Sequence, residues 1–531
     1  MTRSARAAAT DFAIVIAVMA IAAAQSWMRW LDPIVDTGRD LYIPEQLVHG
    51  VKLYRDILYF YPPLTPYLLA ALTSITGHSL AAYVFLGFVV AAATAALLYF
   101  IALRIGNRLA AVTAAATFAA CSVAGQSTWG CNYFFPYAHA ATFAMLFFLG
   151  MVAALLVNTR ISLIVAVVLA VAASWTKVEY AIFAPAVLLI AVLFGRVRWW
   201  ILGAFAALDA AAFALVSFTF RDSDWLRGNV LPDVMMHSES LRLFYRSVAG
   251  FDRWPALLLE SVAGAVAIVA VVLLLREGRV GVATLLAAVI GLAGIFFRPW
   301  AVLQLALIPF AIRRRDAPLA VLLAATLCTS SRVILNLTPV WYGFVLVVPL
   351  YALAAYVLLA RLPRDGVYSE RASRAWLAAF AGAALHSLVL AHGAYAKKTF
   401  PIETPRGTIH DVNRDRAAIF NELGKSGVRS LVVIPEGLVL NYLFEIPTPL
   451  AVYTFTPPEA ADPRAEAAII REIETKRPEW IAVLPRDMRE FGSRGFGIDY
   501  DQNLRRVIEQ RYAPVRRWAR PGFSVLLLKR K

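Results

Sequence analysis

Long apolar runs follow one another along this chain, separated by short polar breaks and almost free of charge inside. A helix of about 20 apolar residues spans the roughly 30 Å hydrocarbon core of a bilayer. Inside lipid each backbone N–H and C=O must be paired within its own structure, so runs of this kind are helices rather than strands. The pattern predicts thirteen spans, over 11–30, 79–103, 109–125, 136–157, 161–175, 178–195, 199–219, 255–275, 280–296, 299–312, 317–335, 341–360 and 375–393. The breaks around Ser174–Val178 and Arg298–Trp300 are short enough that each flanking pair reads either as two helices or as one interrupted helix. The first run is long and poorly followed by a cleavage site, which makes it an anchor rather than a removed leader.

Three stretches depart from the pattern. Residues 31–78 form an early polar loop, 220–254 a second one, and 394–531 a charged, proline-containing segment with no spanning run. In the last, short apolar strands ("SLVVIP", "EWIAVLP", "FSVLLLKR") alternate with polar helical patterns at 411–424, 462–476 and 500–511. The expected architecture is a polytopic all-α membrane domain over 1–393, followed by a small extracytoplasmic α/β domain over 394–531.

Composition points to lipid as the solvent, with 60% of residues hydrophobic and a mean hydropathy of +0.65. The formal charge of +16 follows largely from topology. Arg3, Arg6, Arg104, Arg108, Arg160, Arg196, Arg198, Arg276, Arg279, Arg313–Arg315, Arg361, Arg364, Arg371 and Arg374 fall in alternate loops, and positive loops mark the cytoplasmic side. The basic balance therefore does not point to nucleic acid. With the N-terminus inside and an odd number of spans, the C-terminal segment lies outside. Three cysteines imply no disulfide framework, although Cys121 and Cys131 both fall where they could meet on the outer side.

The outer loops carry the unusual side chains. Asp32, Asp36 and Asp40 recur at one-turn spacing and share a face if the segment is helical, with Pro33 in its first turn and Gly38 loosening it. Three like charges on one face need a cation, a proton or a polar ligand beside them; Asp32 by itself reads as a helix cap. Lys177 and Glu179 share a short outer turn, two residues apart, a spacing that need not bring them together. Arg298 and Arg332 end otherwise apolar spans, where a charge is either functional or a snorkelling anchor. "MMHSESLRLFYR" over 235–246 puts His237, Arg242, Tyr245 and Arg246 on an interfacial amphipathic segment suited to lying over a lipid chain. His237 beside Glu239 does not amount to a metal site.

"DTGRDLYIPEQLVHGVKLYRDILYFYPPLTPYLLAAL" resembles the first extracytoplasmic loop of bacterial GT-C glycosyltransferases, the polytopic enzymes related to protein mannosyltransferases and lipid A aminoarabinose transferases. The resemblance rests on Asp36, Gly38-Arg39-Asp40, Gly50, Leu53-Tyr54-Arg55-Asp56 and the run from Tyr59 to Leu64, with Tyr61-Pro62-Pro63 where the family has Tyr-Gly-Pro. "SWTKVEYAIFAP" and "IPEGLVLNYLFEIPTPLAVYTFTPPE" are similar to further segments of these proteins, the second from their C-terminal outer domain.

The resemblance implies an inverting transfer of a sugar from a polyprenyl-phosphate donor to a lipid, glycan or protein acceptor at the outer side of a bacterial inner membrane. It implies Asp36 as general base, with Arg39, Asp40 and Tyr61 beside it. Asp40 would either hold an acceptor hydroxyl or pair with Arg39. The departing lipid phosphate needs fixed positive charge, for which the candidates are Lys177 (with Glu179), Arg298, Arg332 and the cluster Arg242, Tyr245, Arg246. No cofactor is required by any motif, and a divalent cation remains compatible with the acidic loop. A lipid-linked-sugar flippase or transporter is the alternative, carried by Asp209 inside "AALDAAAF", although such folds usually show paired repeats that this chain lacks.

Overall fold

The computed structural model describes residues 3–531, the side chains of 3–8 and of Val234 excepted. Arg3 and Arg6, used above to orient the chain, therefore have side chains outside the described residues. Twelve of the predicted spans fall largely on one helix each, and 341–360 divides into Gly343–Leu346, Val348–Tyr356 and the π-helical turn Val357–Arg361. Among the described residues six helices are long and apolar enough to cross a membrane: Ala9–Ser26, Leu80–Ile105, His139–Val157, Trp200–Thr219, Phe251–Arg276 and Glu370–Tyr395. Shorter apolar helices, such as Arg160–Ser174, Tyr180–Leu193 and Val280–Leu292, fill in between them. The chain is a multi-pass membrane protein. Both short breaks prove to separate distinct helices, Arg160–Ser174 from Tyr180–Leu193 and Val280–Leu292 from Trp300–Arg314. Pro299 stands immediately before the last of these, where proline starts a helix easily and continues one poorly.

The arginine-bearing loops gather at one end of the bundle. Arg104 and Arg196 both reach the carbonyl of Leu156, Arg364 reaches that of Ile105, and Arg108 grips Asp11 through two bonds of 2.7 Å. Arg361 pairs with Asp316 at the same end. Arg104, Arg196 and Arg364 thereby satisfy helix C-terminal carbonyls that have no partner of their own, while Arg108 and Arg361 are held by carboxylates.

The other end carries the polar stretches. Asp32 Oδ1 accepts the N–H groups of Ile34 and Val35, both at 2.9 Å, so it caps a tight turn and not a helix. The chain then reverses at Asp36, whose φ of 56° is uncommon for a side-chain-bearing residue. A helix starts only at Thr37 and runs to Val48, and a second follows over Leu64–Thr76. The three aspartates therefore share no helical face, and Pro33 lies outside the helix: the turn at Asp32 and the reversal at Asp36 break the periodicity that their spacing suggested.

Beyond the helix ending at Tyr395 come a hairpin of β1 (Phe400–Thr404) and β2 (Gly407–Asp411) and a four-stranded sheet. The sheet is ordered β3 (Val432–Ile434), β4 (Trp480–Val483), β6 (Phe523–Arg530), β5 (Tyr512–Arg520), with only β3 and β4 parallel. Alternate residues of the strands serve two cores. Val432, Ile434, Ile481 and Leu528 pack with Ile469, Ile473, Leu504 and Ile508 of the helices Pro463–Lys476 and Gln502–Arg511. Val433, Ala482, Val525 and Leu527 belong instead to a core that continues into the membrane helices. The mixed α/β character expected of 394–531 is present. Strands β1, β2 and β5 were not anticipated; β5 is an edge strand rich in exposed arginine, a composition that hides a strand and also blocks further pairing.

The sheet segment closes directly onto the first polar loop. Leu58 N–H donates to the carbonyl of Ala451 (3.0 Å), Thr448 N–H to the hydroxyl of Tyr42 (3.0 Å), and Arg406 pairs with Glu45 at 2.5 Å while lying 4.1 Å over the Tyr442 ring. The closest approach is at Gly38, where a Cβ would come within 2.3 Å of the Val439 nitrogen and 2.7 Å of the Leu438 carbonyl carbon. Only glycine fits between two backbones at that distance. Gly38→Ala is expected to force them apart at a cost of at least the roughly 1–3 kcal/mol typical of overpacking. The measurements are the melting temperature in detergent and the rate of proteolysis after Tyr395; wild-type values for both would mean that the two backbones have room.

Candidate active site

A cavity of 790 Å³ lies at the end of the bundle where the first loop, the helix ends, the 220–254 segment and the sheet segment meet. Asp36, Arg39 and Tyr61 line it from the first loop, Lys177, Glu179 and Arg332 from the helix ends, Met235, Met236, Leu241, Phe244 and Tyr245 from the second loop, and Lys398, Arg416, Glu436, Glu459 and Arg486 from the C-terminal segment.

On the acidic side, the Asp36 carboxylate pairs with Arg39, whose guanidinium lies 5.5 Å from the centre of the Tyr61 ring. The Asp36 N–H donates to Glu436 Oε1 at 2.8 Å, and Arg486 Nε donates to Glu436 Oε2 at 3.1 Å. Glu459 is held by the hydroxyl of Thr456. Burial, reinforced by the charge of Asp36, pushes both glutamic acids up to about 7, where each is poised between its two protonation states near neutral pH. Such a group stays protonated in the native state where the unfolded chain has already lost the proton. Its contribution to stability is complete below about 4.5 and is lost as pH rises through about 7.

On the cationic side, Glu179 stands between Lys177, at 3.4 Å, and Arg332. Two cations share one carboxylate, which leaves a net positive corner. Lys177 and Glu179 do face each other, because 175–179 is a turn and not a continued helix. Arg332 also lies 5.1 Å over the Tyr245 ring, a cation–π contact that fixes the guanidinium against the wall. A third cationic point, Lys398, is buried with Nζ on the carbonyl of Leu31 at 2.5 Å; burial lowers it to about 8.

The remaining sequence candidates lie elsewhere. Asp40 is buried behind the loop, where its carboxylate takes the N–H and, at 3.0 Å, the Nδ1 of His139; it neither reaches the cavity nor pairs with Arg39. His237, Arg242 and Arg246 are exposed and outside the cavity lining, with His237 Nδ1 on the carbonyl of Asp233 at 2.9 Å. From that segment Met235, Met236, Leu241, Phe244 and Tyr245 line the cavity, the inward face of an amphipathic stretch. Arg298 pairs with Glu260 and lines a separate cavity of 430 Å³ with His386. Asp209, inside the apolar helix Trp200–Thr219, accepts from Trp175 Nε1 at 2.9 Å, a structural partner for that carboxylate. Cys121 and Cys131 are buried free thiols.

The divalent cation allowed by the acidic loop finds no ligand set, since no three His, Cys, Asp or Glu among the described residues stand together as metal ligands. Each carboxylate already has its own partner: Arg39 for Asp36, His139 for Asp40, Arg486 for Glu436. The sequence reading missed Glu436, Glu459, Lys398, Arg416 and Arg486. The two glutamates lie within "IPEGLVLNYLFEIPTPLAVYTFTPPE", so the signal was present in the sequence, but nothing local distinguishes an inward glutamate from a solvated one.

No protein-family model and no curated protein matches the sequence. Solved structures do. The archaeal oligosaccharyltransferase AglB from Archaeoglobus fulgidus, in complex with an inhibitory peptide and a dolichol-phosphate, superposes with a TM-score of 0.53 at 11% identity, over 97% of this chain and 74% of that one. The apo form of the A. fulgidus oligosaccharyltransferase gives 0.54 at 12% identity, over 95% and 73%. ArnT from Cupriavidus metallidurans in the apo state gives 0.46 at 13% identity, over 98% of both chains. At these identities the likeness is one of architecture: over nearly its whole length the chain shares the fold of the A. fulgidus oligosaccharyltransferase.

Proposed function

We propose that this protein is a membrane glycosyltransferase that moves a sugar from a polyprenyl-phosphate donor to an acceptor hydroxyl. The observation that carries the reading is a single cavity with a carboxylate pole at Asp36 and a net cationic pole at Lys177, Glu179 and Arg332. The fold adds support, since the structurally similar oligosaccharyltransferase binds a dolichol-phosphate.

The acceptor oxygen attacks the anomeric carbon from the face opposite the phosphate, and the carbon–oxygen bond to the phosphate breaks. Its electron pair leaves on the lipid phosphate, and the anomeric centre inverts. Asp36 takes the acceptor's proton as the new bond forms. Arg39 orients that carboxylate in the meantime, and Tyr61 braces Arg39. Lys177 and Arg332 neutralise the charge developing on the phosphate, an interaction that strengthens along the reaction and so speeds it. Met235, Met236, Leu241 and Phe244 provide an apolar wall for the first isoprene units. The arginine-rich end of the bundle faces the cytoplasm in this reading, which places the cavity and the C-terminal segment on the outer, periplasmic side of the inner membrane.

Purified protein incubated with a panel of polyprenyl-phosphate sugars should release lipid phosphate when a suitable acceptor is present. Asp36→Asn keeps the size of the side chain but cannot accept a proton, and transfer should fall by about 10²–10⁴-fold with donor binding near native. An Asp36→Asn enzyme that transfers at the wild-type rate would end the assignment of the base. Lys177→Ala and Arg332→Ala should each weaken donor use by about 10–100-fold, the worth of a charge-assisted hydrogen bond. Full activity in both would remove them from the phosphate site.

A further inference from the structure

The reaction as drawn assigns nothing to the C-terminal segment, yet that segment touches the base more directly than any other part of the chain except Arg39. Asp36 sits at a φ of 56°, a backbone conformation that a side-chain-bearing residue keeps only when its surroundings hold it. The groups holding it can be named. Its N–H is aimed at Glu436 Oε1, 2.8 Å away, and the residue two places on, Gly38, is pressed against the backbone of Leu438 and Val439. The triplet Asp36-Thr37-Gly38 is thus clasped by the four residues Glu436-Gly437-Leu438-Val439.

The clasp is itself rigid. Glu436 is 6% exposed and follows directly on β3 and Pro435. The carbonyl of Ile434 accepts from Leu484 N–H (2.8 Å), and that of Pro435 from Phe455 N–H (2.8 Å). Asn441 Nδ2 ties the following helix back to the carbonyls of Leu431 and Ile446 at 2.9 and 2.8 Å. The second oxygen of Glu436 is taken by Arg486, which also holds Glu490 at 2.5 Å. A carboxylate anchored on both oxygens, on a braced backbone, fixes the position of whatever it grips.

We propose that Glu436 is a positioning residue for sugar transfer: by accepting the Asp36 N–H it sets where the base stands, and it makes the C-terminal segment a working part of the active site. The proposal rests on Asp36 being the base. It concerns placement and not charge alone, because Arg39, Glu459 and Arg486 also carry charge at this corner. A charge-preserving but shorter side chain therefore separates the two effects.

The test uses full-length protein in lipid nanodiscs, with Glu436→Ala, Glu436→Asp and Glu436→Gln measured beside the wild type and Asp36→Asn. Ala removes the acceptor, Asp keeps the charge but withdraws it, and Gln keeps an acceptor oxygen at the right reach. Turnover should fall by about 10–100-fold in Ala and Asp with KM for the donor near native, and Gln should restore most of it. A merely structural role would lower all three alike or move KM. Hydrogen–deuterium exchange over 34–40 should be faster in Ala and Asp than in Gln or wild type.

Native turnover in Glu436→Ala or Glu436→Asp, or exchange unchanged in both, would overturn the proposal. If Asp36→Asn is fully active, or if the wild type releases no lipid phosphate, it is the functional reading that fails. The exchange measurement then still decides whether Glu436 holds Asp36. Should Glu436→Ala fail to fold, the contrast between Asp and Gln carries the same decision.

Discussion

A chain that takes lipid as its solvent has few places for ionised side chains. Carboxylates and guanidinium groups are expelled from the hydrocarbon toward the helix ends, or they must be paired inside. This protein follows that constraint closely. At one end arginines bind the unpartnered carbonyls of neighbouring helices, and at the other, carboxylates and cations face each other across a cavity. Carboxylates within apolar helices are paired as well: Asp11 with Arg108, Glu260 with Arg298 and Asp209 with an indole N–H. Concentrating charge at one water-facing end is what brings an acid pole and a cationic pole into one cavity.

The same constraint made most of the fold legible in advance. Hydrophobic length locates most of the membrane helices to within a few residues, because the bilayer imposes it and tertiary packing has little to override. The first loop was legible in content but not in shape. Asp32, Asp36 and Asp40 were picked out as unusual, and their spacing suggested one helical face. In fact Asp32 binds its own turn, Asp36 occupies a left-handed reversal, and Asp40 is consumed by His139. The placing of Asp36 and Asp40 depends on partners about four hundred and one hundred residues away, Glu436 and His139, which spacing does not encode. Glu436 and Glu459 escaped notice for the same reason.

The electrostatics of the cavity is built from shared partners rather than isolated pairs. Glu179 divides itself between Lys177 and Arg332, so neither cation is fully neutralised, while Asp36, Glu436 and Glu459 all act on Arg39. An anionic ligand can draw on the first arrangement without breaking it, since the cations keep a counter-charge when the ligand leaves. In the second, burial and the charge of Asp36 raise Glu436 and Glu459 to about 7, so that three acidic side chains gathered round one guanidinium need not all be charged near neutral pH.

The contact between Asp36 and Glu436 spans four hundred residues of chain. During synthesis the first loop is therefore in place long before its clasp exists, and every membrane helix between them has to be made first. Loop closure over such a separation adds entropy only logarithmically, but it fixes the order of events. One face of the late-made sheet is built into the same core as the membrane helices, so that core cannot be completed without it. A ribosome releasing this chain early would leave a full set of membrane helices with an unheld aspartate. The placement of the proposed base thus waits on a segment made after the membrane helices, and the fold couples the two in time.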